Sequence, residues 1–115
     1  MPQNHNEPAV ADALNALLAD SFALYLKTKN FHWHVHGPRF RDLHLLFDEH
    51  AAQILATTDL IAERVRKNGA ATLRSIGDIG RRQSIKVDDT ANVDADTMVK
   101  TLAEENQTLI AQHKA

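Results

Sequence analysis

Residues 30–66, which decide the fold, read NFHWHVHGPRFRDLHLLFDEHAAQILATTDLIAERVR. Pro38 suits the first turn of a helix and Asn68-Gly69 supplies a stop signal, so one helix of about 30 residues fits between them. At about 100° per residue, one imidazole and three carboxylates on this helix fall within an arc of about 100°. Such a stripe is unfavourable unless a cation lies against it. The four residues are His44, Asp48, Asp59 and Glu63.

The two i,i+4 pairs in this stripe, 44/48 and 59/63, cannot meet on one helix. Positions 44 and 63 are about 28 Å apart at 1.5 Å per residue, whereas a metal ion binds its ligands at about 2 Å. A second copy running antiparallel, with a two-fold axis near Gln53 and Ile54, would place each pair against the other pair of its partner. The sequence therefore predicts an intersubunit metal site. The residues between the pairs are small or apolar and would permit close helix approach: Ala51, Ala52, Leu55 and Ala56.

Composition predicts one small helical domain. The chain has 115 residues, 43% of them hydrophobic and 5% aromatic, with four Gly and three Pro, which suits a compact all-α protein better than a β-sandwich. A net charge of −2 gives no reason to expect general attraction to nucleic acid or membranes. The absence of cysteine excludes disulfides and thiolate metal sites. With no signal peptide and no apolar run of about 18 residues, a cytoplasmic protein without membrane contact is expected.

Apolar spacing predicts three long helices and one short one. The first runs from Pro8 to about Lys29, a short helix lies near 72–79, and the last starts near Asp94, a good N-cap. The chain stops at Ala115 in the middle of the helical pattern, so an incomplete domain is expected. The second helix is predicted to bury its own core stripe, formed by Phe40, Leu43, Phe47, Ile54, Ile61 and Val65.

A metal site is favoured by the joint arrangement of the four residues, because any one of them alone is more often a solvated side chain. Carboxylate oxygens with a little imidazole suit iron or manganese, and zinc less specifically. His32, twelve residues before His44, could supply a second imidazole from the end of the first helix. Histidine and carboxylate sets on bundle helices recurrently hold iron for oxygen or peroxide chemistry.

Other residues have two interpretations each. Trp33 suits core packing, but beside His32 it would also put an oxidisable ring next to a redox metal. His34 and His36 are expected to be exposed or structural, with a secondary metal site as the alternative. Residues 1–7 hold no Lys or Arg, so no basic nucleic-acid-binding arm is predicted there. A solvated loop or a partner surface is expected, rather than a DNA site, at Arg74, Arg81 and Arg82.

The segment KTKNFHWHVHGPRFRDLHLLFDEHAAQILATTDLIAERV, residues 27–65, resembles the signature of the Dps family, the ferritin-like DNA-binding proteins from starved cells. The spacing His-x11-His-x3-Asp-x10-Asp-x3-Glu matches that family's dinuclear ferroxidase site. The resemblance implies a ferritin-like four-helix bundle over 1–115, here without the C-terminal fourth helix. It also implies a ferroxidase site that joins two groups of residues: His32, His44 and Asp48 of one subunit, and Asp59 and Glu63 of its two-fold mate.

The resemblance further implies a hollow homododecamer that oxidises Fe²⁺ with hydrogen peroxide, stores ferric oxide and so protects DNA. Trp33 would quench radicals that escape the site. Two other readings stay open. One is a nucleoid-compacting DNA-binding protein whose metal site mainly stabilises the dimer. The other is an inert fragment or a helical interaction module.

Overall fold

A computed structural model describes the backbone of residues 7–87, 89–90 and 93–114, and the side chains of 8–87, 89–90 and 93–111. Within these ranges the chain forms helices and no strand, which confirms the predicted all-α class with three long helices and a short one in the last connection. Most of the polar tail considered above, residues 1–6, lies outside the described residues. The helices are α1 (Glu7–His34), α2 (Phe40–Lys67), α3 (Ile76–Arg82) and α4 (Ala95–Lys114).

Around the turn between α1 and α2, two helix ends differ from the prediction: the end of α1 and the start of α2. α1 runs five residues beyond the predicted end at Lys29, because Phe31 and the following Val35 continue its buried stripe into the core. Gly37, with φ +102°, makes the turn in a backbone region that favours glycine. Pro38 lies in this turn and α2 begins at Phe40, so the prediction of a proline within the first helical turn was wrong.

The C-terminus of α2 follows the predicted stop signal. Gly69 has φ +82°, the left-handed conformation that commonly ends a helix. Its N–H donates to the carbonyl of Arg66, and the N–H of Ala70 donates to the carbonyl of Val65. These two bonds form a Schellman motif and satisfy carbonyls that the helix end leaves without partners.

α1 is the helix against which the other three pack. Half of the expected α2 stripe is buried, namely Leu43, Phe47 and Val65, and Ile54 and Ile61 are partly buried. Phe40 was placed in the core wrongly, because it is exposed at the start of α2. Ala51 is fully buried within the subunit, so it does not belong to the open small-residue surface predicted for it. The main core cluster joins α1, α2, α4 and the connection through Leu24, Phe31, Val35, Leu43, Phe47, Ile85, Met98 and Leu102.

Side-chain caps set the start of the last two helices. The Ser75 hydroxyl accepts a hydrogen bond from the backbone N–H of Asp78, so α3 begins at Ile76 and the predicted start at Thr72 was wrong. The Asp94 carboxylate accepts from the backbone N–H of Thr97 at 2.8 Å, which confirms the predicted start of α4. Hydrogen bonds from Thr97 also hold the pKa of Asp94 below its ordinary value.

A buried carboxyl on α1 anchors the connection that follows α3. Asp20 is 1% exposed and accepts hydrogen bonds from both the backbone N–H and the hydroxyl of Ser84. Replacing Asp20 by alanine should release this segment, so the Ser84 amide should exchange its hydrogen much faster, as measured by exchange mass spectrometry or NMR. The matched Asp12→Ala change, at an exposed site on the same helix, should leave that rate unchanged. Equal protection of Ser84 in both variants would contradict this role.

The length of α1 also bears on the expectation about membranes. Among the described residues, Pro8–His34 is long and apolar enough to cross a membrane by length and composition alone. The expectation that no stretch of this chain reaches that limit was therefore wrong. Core helices pass the same test, and several α1 residues are buried in this subunit, among them Leu18, Ala19 and Leu24. The absence of membrane contact stays a prediction.

Candidate metal centre

The α1–α2 turn brings two predicted ligands into contact. His32 lies in the last turn of α1 and His44 lies near the start of α2. Their rings stack with centroids 3.8 Å apart and planes 18° from parallel. Phe40, one turn before His44 on α2, also stacks on His44, with ring centroids 4.9 Å apart. The sequence prediction that His32 could join His44 from the end of helix one agrees with this placement.

The two histidines bind each other's backbone. Nδ1 of His32 lies 2.6 Å from the carbonyl oxygen of His44, and Nδ1 of His44 lies 2.7 Å from the carbonyl oxygen of His32. A carbonyl oxygen can only accept a hydrogen bond, so each Nδ1 is the donor. In a neutral ring the lone pair is then on Nε2, which is the arrangement found in histidines that bind metals.

Asp48 lies next to this pair and forms an ion pair with Lys29. Its Oδ1 is 3.9 Å from Nε2 of His32 and accepts a hydrogen bond from the Lys29 ammonium at 2.8 Å. This hydrogen bond and the positive charge of Lys29 hold the pKa of Asp48 below its ordinary value, and the same bond raises the pKa of Lys29. The carboxylate therefore stays ionised to lower pH than a free aspartate.

Removing the ammonium should reverse this shift. In the Lys29→Met variant the pKa of Asp48 should rise towards the ordinary value for aspartate, as measured by NMR titration of the carboxyl carbon. Because the folded-state pKa is lowered, the ion pair stabilises the protein above the ordinary aspartate range and loses this effect as pH falls through the lowered pKa. Asp78, whose pKa is lowered mainly by Arg82, is an internal control and should not change. If the pKa of Asp48 were the same in Lys29→Met and the wild type, the Lys29–Asp48 ion pair would not be the cause of the shift.

The other two predicted ligands lie elsewhere on the subunit. Asp59 and Glu63 are exposed on α2, and at 1.5 Å per residue Asp59 is about 16 Å along the helix from Asp48. Neither forms an ion pair or a hydrogen bond through its side chain with another described residue. In the part of the chain that the structure describes, no three histidine or acidic side chains form a group that could hold an ion. That Asp59 and Glu63 meet the His32, His44 and Asp48 group of a second subunit stays a prediction.

Exposure decides between the interpretations of the remaining residues. Trp33 is 57% exposed, so the core interpretation is wrong for the single subunit, and Nζ of Lys29 lies 6.0 Å from its ring centroid. His34 and His36 are exposed as expected. Sequence reasoning missed Lys29 and Phe40, although both lie one helical turn from a predicted ligand, a spacing that places side chains on one face.

Two of the three basic residues predicted to lie in a solvated loop or on a partner surface belong to α3, namely Arg81 and Arg82. Arg74, Arg81 and Arg82 are exposed. Arg82 donates to the Asp78 carboxylate at 3.0 Å and Arg81 lies 3.6 Å from the same carboxylate. Their charge is therefore partly compensated within α3 itself.

Comparison with known proteins identifies the family. Residues 11–115 match the family model of the ferritin-like domain. The chain is 38% identical over 96 residues to DNA protection during starvation protein 1 of Deinococcus radiodurans, covering 84% of this chain and 46% of that protein. It is 33% identical over 105 residues to the DNA protection during starvation protein of Brevibacillus brevis, covering 91% and 70%. Against the first of these relatives the chain thus spans about half of the length.

Solved structures give the same result for the fold. The crystal structure of a Dps protein from Bacillus brevis superposes with a TM-score of 0.90 at 31% identity, covering 98% of this chain and 75% of that one. The Dps protein of Vibrio cholerae, described as a member of a broad superfamily of ferritin-like diiron-carboxylate proteins, gives 0.89 at 27% identity, covering 99% and 75%. The chain belongs to the ferritin-like Dps family, the DNA protection during starvation proteins.

Proposed function

We propose that this protein is a ferroxidase and iron-storage protein that oxidises Fe²⁺ with hydrogen peroxide at a site between two subunits. The observation that carries the proposal is the reciprocal bonding of His32 and His44. Because each Nδ1 donates to a backbone carbonyl, the lone pair of each neutral ring is on Nε2. Two preoriented imidazoles beside an ionised carboxylate, Asp48, form the histidine end of a metal site.

The donor set suits iron as the substrate. Carboxylate oxygens are hard ligands that offset the charge of Fe³⁺, and imidazole binds Fe²⁺ well. The residues proposed to hold iron are His32, His44 and Asp48 of one subunit, with Asp59 and Glu63 of the other.

A second copy of the chain would complete the site. Asp59 and Glu63 are exposed and have no partner in the described subunit, so they are available to a neighbour. The same surface of α2 exposes Ala52, Leu55 and Ala56, which would lose contact with water in an antiparallel pair of α2 helices. By family membership we extend the proposal to a homododecamer in the cytoplasm.

The proposed reaction consumes two harmful reactants together. Two Fe²⁺ ions each give one electron to one hydrogen peroxide molecule, and with two protons this yields two Fe³⁺ and two water molecules. Because both electrons reach one peroxide, no hydroxyl radical is released, and DNA nearby is protected. Trp33 is exposed beside His32 and is proposed to quench any radical that escapes.

Stopped-flow absorbance of Fe²⁺ with the protein tests the activity. Ferric absorbance should rise faster with hydrogen peroxide than with dissolved oxygen, and faster than in buffer alone. In parallel, plasmid DNA exposed to Fe²⁺ and peroxide should remain supercoiled only when the protein is present. A rate equal to that of buffer, with both oxidants, would contradict the proposal.

Direct DNA binding is the weaker candidate, and a gel shift separates it. The name of the relatives refers to DNA protection, but Arg81 and Arg82 are partly compensated by Asp78. We expect no shift of DNA at physiological salt and at most a weak shift at low salt, since phosphate contacts are screened by ions. Protection of plasmid without any gel shift would favour iron chemistry over nucleoid compaction.

A further inference from the structure

The Lys29 ammonium lies between an acid and an aromatic ring. Nζ donates to Oδ1 of Asp48 at 2.8 Å and lies 6.0 Å from the centroid of the Trp33 ring. Lys29 and Trp33 are one helical turn apart on α1, whereas Asp48 is on α2. The lysine side chain has rotatable bonds and the distance to the ring is at the limit of a cation–π contact. The ammonium already lies over the ring at this long distance, and a short movement away from Asp48 would bring it closer to the ring face.

A metal ion at Asp48 would compete with this ammonium. Oδ1 of the proposed ligand Asp48 accepts the hydrogen bond from Lys29, and the same oxygen lies 3.9 Å from Nε2 of His32. A divalent cation held by that carboxylate and imidazole would lie about 2 Å from them. An ammonium left in place would then be a few ångströms from a second positive ion, an arrangement that Coulomb repulsion opposes.

We propose that Lys29 is a placeholder cation, which neutralises Asp48 in the metal-free subunit and moves onto the Trp33 ring when a metal ion enters. The inference rests on the proposed function, because it assumes that Asp48 is a metal ligand. It assigns Lys29 a positioning and selectivity role. Any cation that enters must bind Asp48 more favourably than the ammonium does, which disfavours monovalent ions. It also gives Trp33 a second role, because its ring would bind the displaced Lys29 ammonium through a cation–π contact.

Titration with Zn²⁺ tests the proposal without any redox step. Calorimetry on the assembled protein at one fixed neutral pH should show that Lys29→Met binds Zn²⁺ about three- to ten-fold more tightly than the wild type, because no cation has to be displaced. Lys29→Arg keeps the charge and should bind no more tightly than the wild type. Only binding that is lost in His44→Ala is counted, so that exposed histidines such as His34 do not contribute.

Trp33 fluorescence gives an independent readout, because it is the single tryptophan of the chain. Zn²⁺ should change the emission of the wild type as the ammonium approaches the ring, and this change should be absent or much smaller in Lys29→Met. Lys100→Met removes one charge from an exposed site on α4 and should behave like the wild type in both measurements. Circular dichroism confirms that each variant is folded.

The outcomes separate this inference from the function on which it rests. If the wild type binds Zn²⁺ and Lys29→Met binds it equally or more weakly, Lys29 only orients Asp48 and the placeholder role is wrong. If neither protein binds Zn²⁺ or any other divalent ion, the proposed metal site itself is wrong, and this inference falls with it. Binding by Lys29→Met alone would support the inference, since the ammonium would then be the barrier.

Discussion

Replacing Asp59 by asparagine and Glu63 by glutamine is expected to reduce peroxide-driven oxidation of Fe²⁺ more than about 100-fold. Loss of a hydrogen-bond partner of a metal ligand already costs about 10–100-fold, and here two proposed ligands are lost. The fold should not change, because both residues are exposed on α2 and have no partner in the described subunit. The measurement is the initial rate of ferric absorbance, with circular dichroism as the check on folding.

A matched control uses two other acids of α2. Asp42 and Glu49 are exposed on the same helix but lie about 140–160° around its axis from His44. Asp42→Asn with Glu49→Gln removes the same two charges and should leave the oxidation rate within about two-fold of the wild type, since surface changes away from a site have small effects. Equal losses in both double variants would point to a general charge effect on α2.

Subunit mixing tests whether the site joins two chains. A subunit lacking His44 and Asp48 is co-assembled with one lacking Asp59 and Glu63. Random pairing makes half of the dimers mixed, and each mixed dimer regains one of its two sites, so about a quarter of the wild-type activity should return. No recovery on mixing would mean that the two groups act separately or that no such dimer forms.

Phe47→Ala should be the most destabilising single change in the core. Phe47 is 2% exposed, and its ring centroid lies 6.4 Å from that of Phe31 across the α1–α2 interface. Truncating a buried phenylalanine costs about 3–5 kcal/mol, a large part of the total stability of about 5–15 kcal/mol for a small domain. Urea denaturation followed by circular dichroism measures the loss.

Leu60→Ala is the matched control for this core change. Leu60 is on the same helix but is 69% exposed, so its truncation should change the free energy of unfolding by no more than about 0.5 kcal/mol in a dilute single subunit. If the two variants lost equal stability, the packing of Phe47 against α1 would not be what holds α2. A larger loss for Leu60→Ala that depends on protein concentration would instead indicate that Leu60 is covered by a second copy.

Helix ends that are set by neighbouring residues could be predicted from the sequence. The stop at Asn68-Gly69 and the cap at Asp94 depend on residues within a few positions of each helix end, so both could be predicted. The end of α1 could not, because Phe31 and Val35 extend the helix through contacts with the core of α2 and α4. Phe40 was misplaced for a similar reason, since helical spacing alone does not distinguish the core from a ring stacked on His44.

The spacing of His44, Asp48, Asp59 and Glu63 along α2 was sufficient to predict a metal site that no single subunit completes, because helix geometry fixes rise and angle per residue. His32 lies on α1, so the same geometry could not place it beside His44. Only the tertiary structure showed how His32, His44 and Asp48 are arranged. The reciprocal bonds between the two imidazoles and the opposite backbone, and the ammonium of Lys29 on Asp48, join α1 to α2 across a turn. Such contacts depend on the relative position of two packed helices, and helical periodicity within either one carries no information about it.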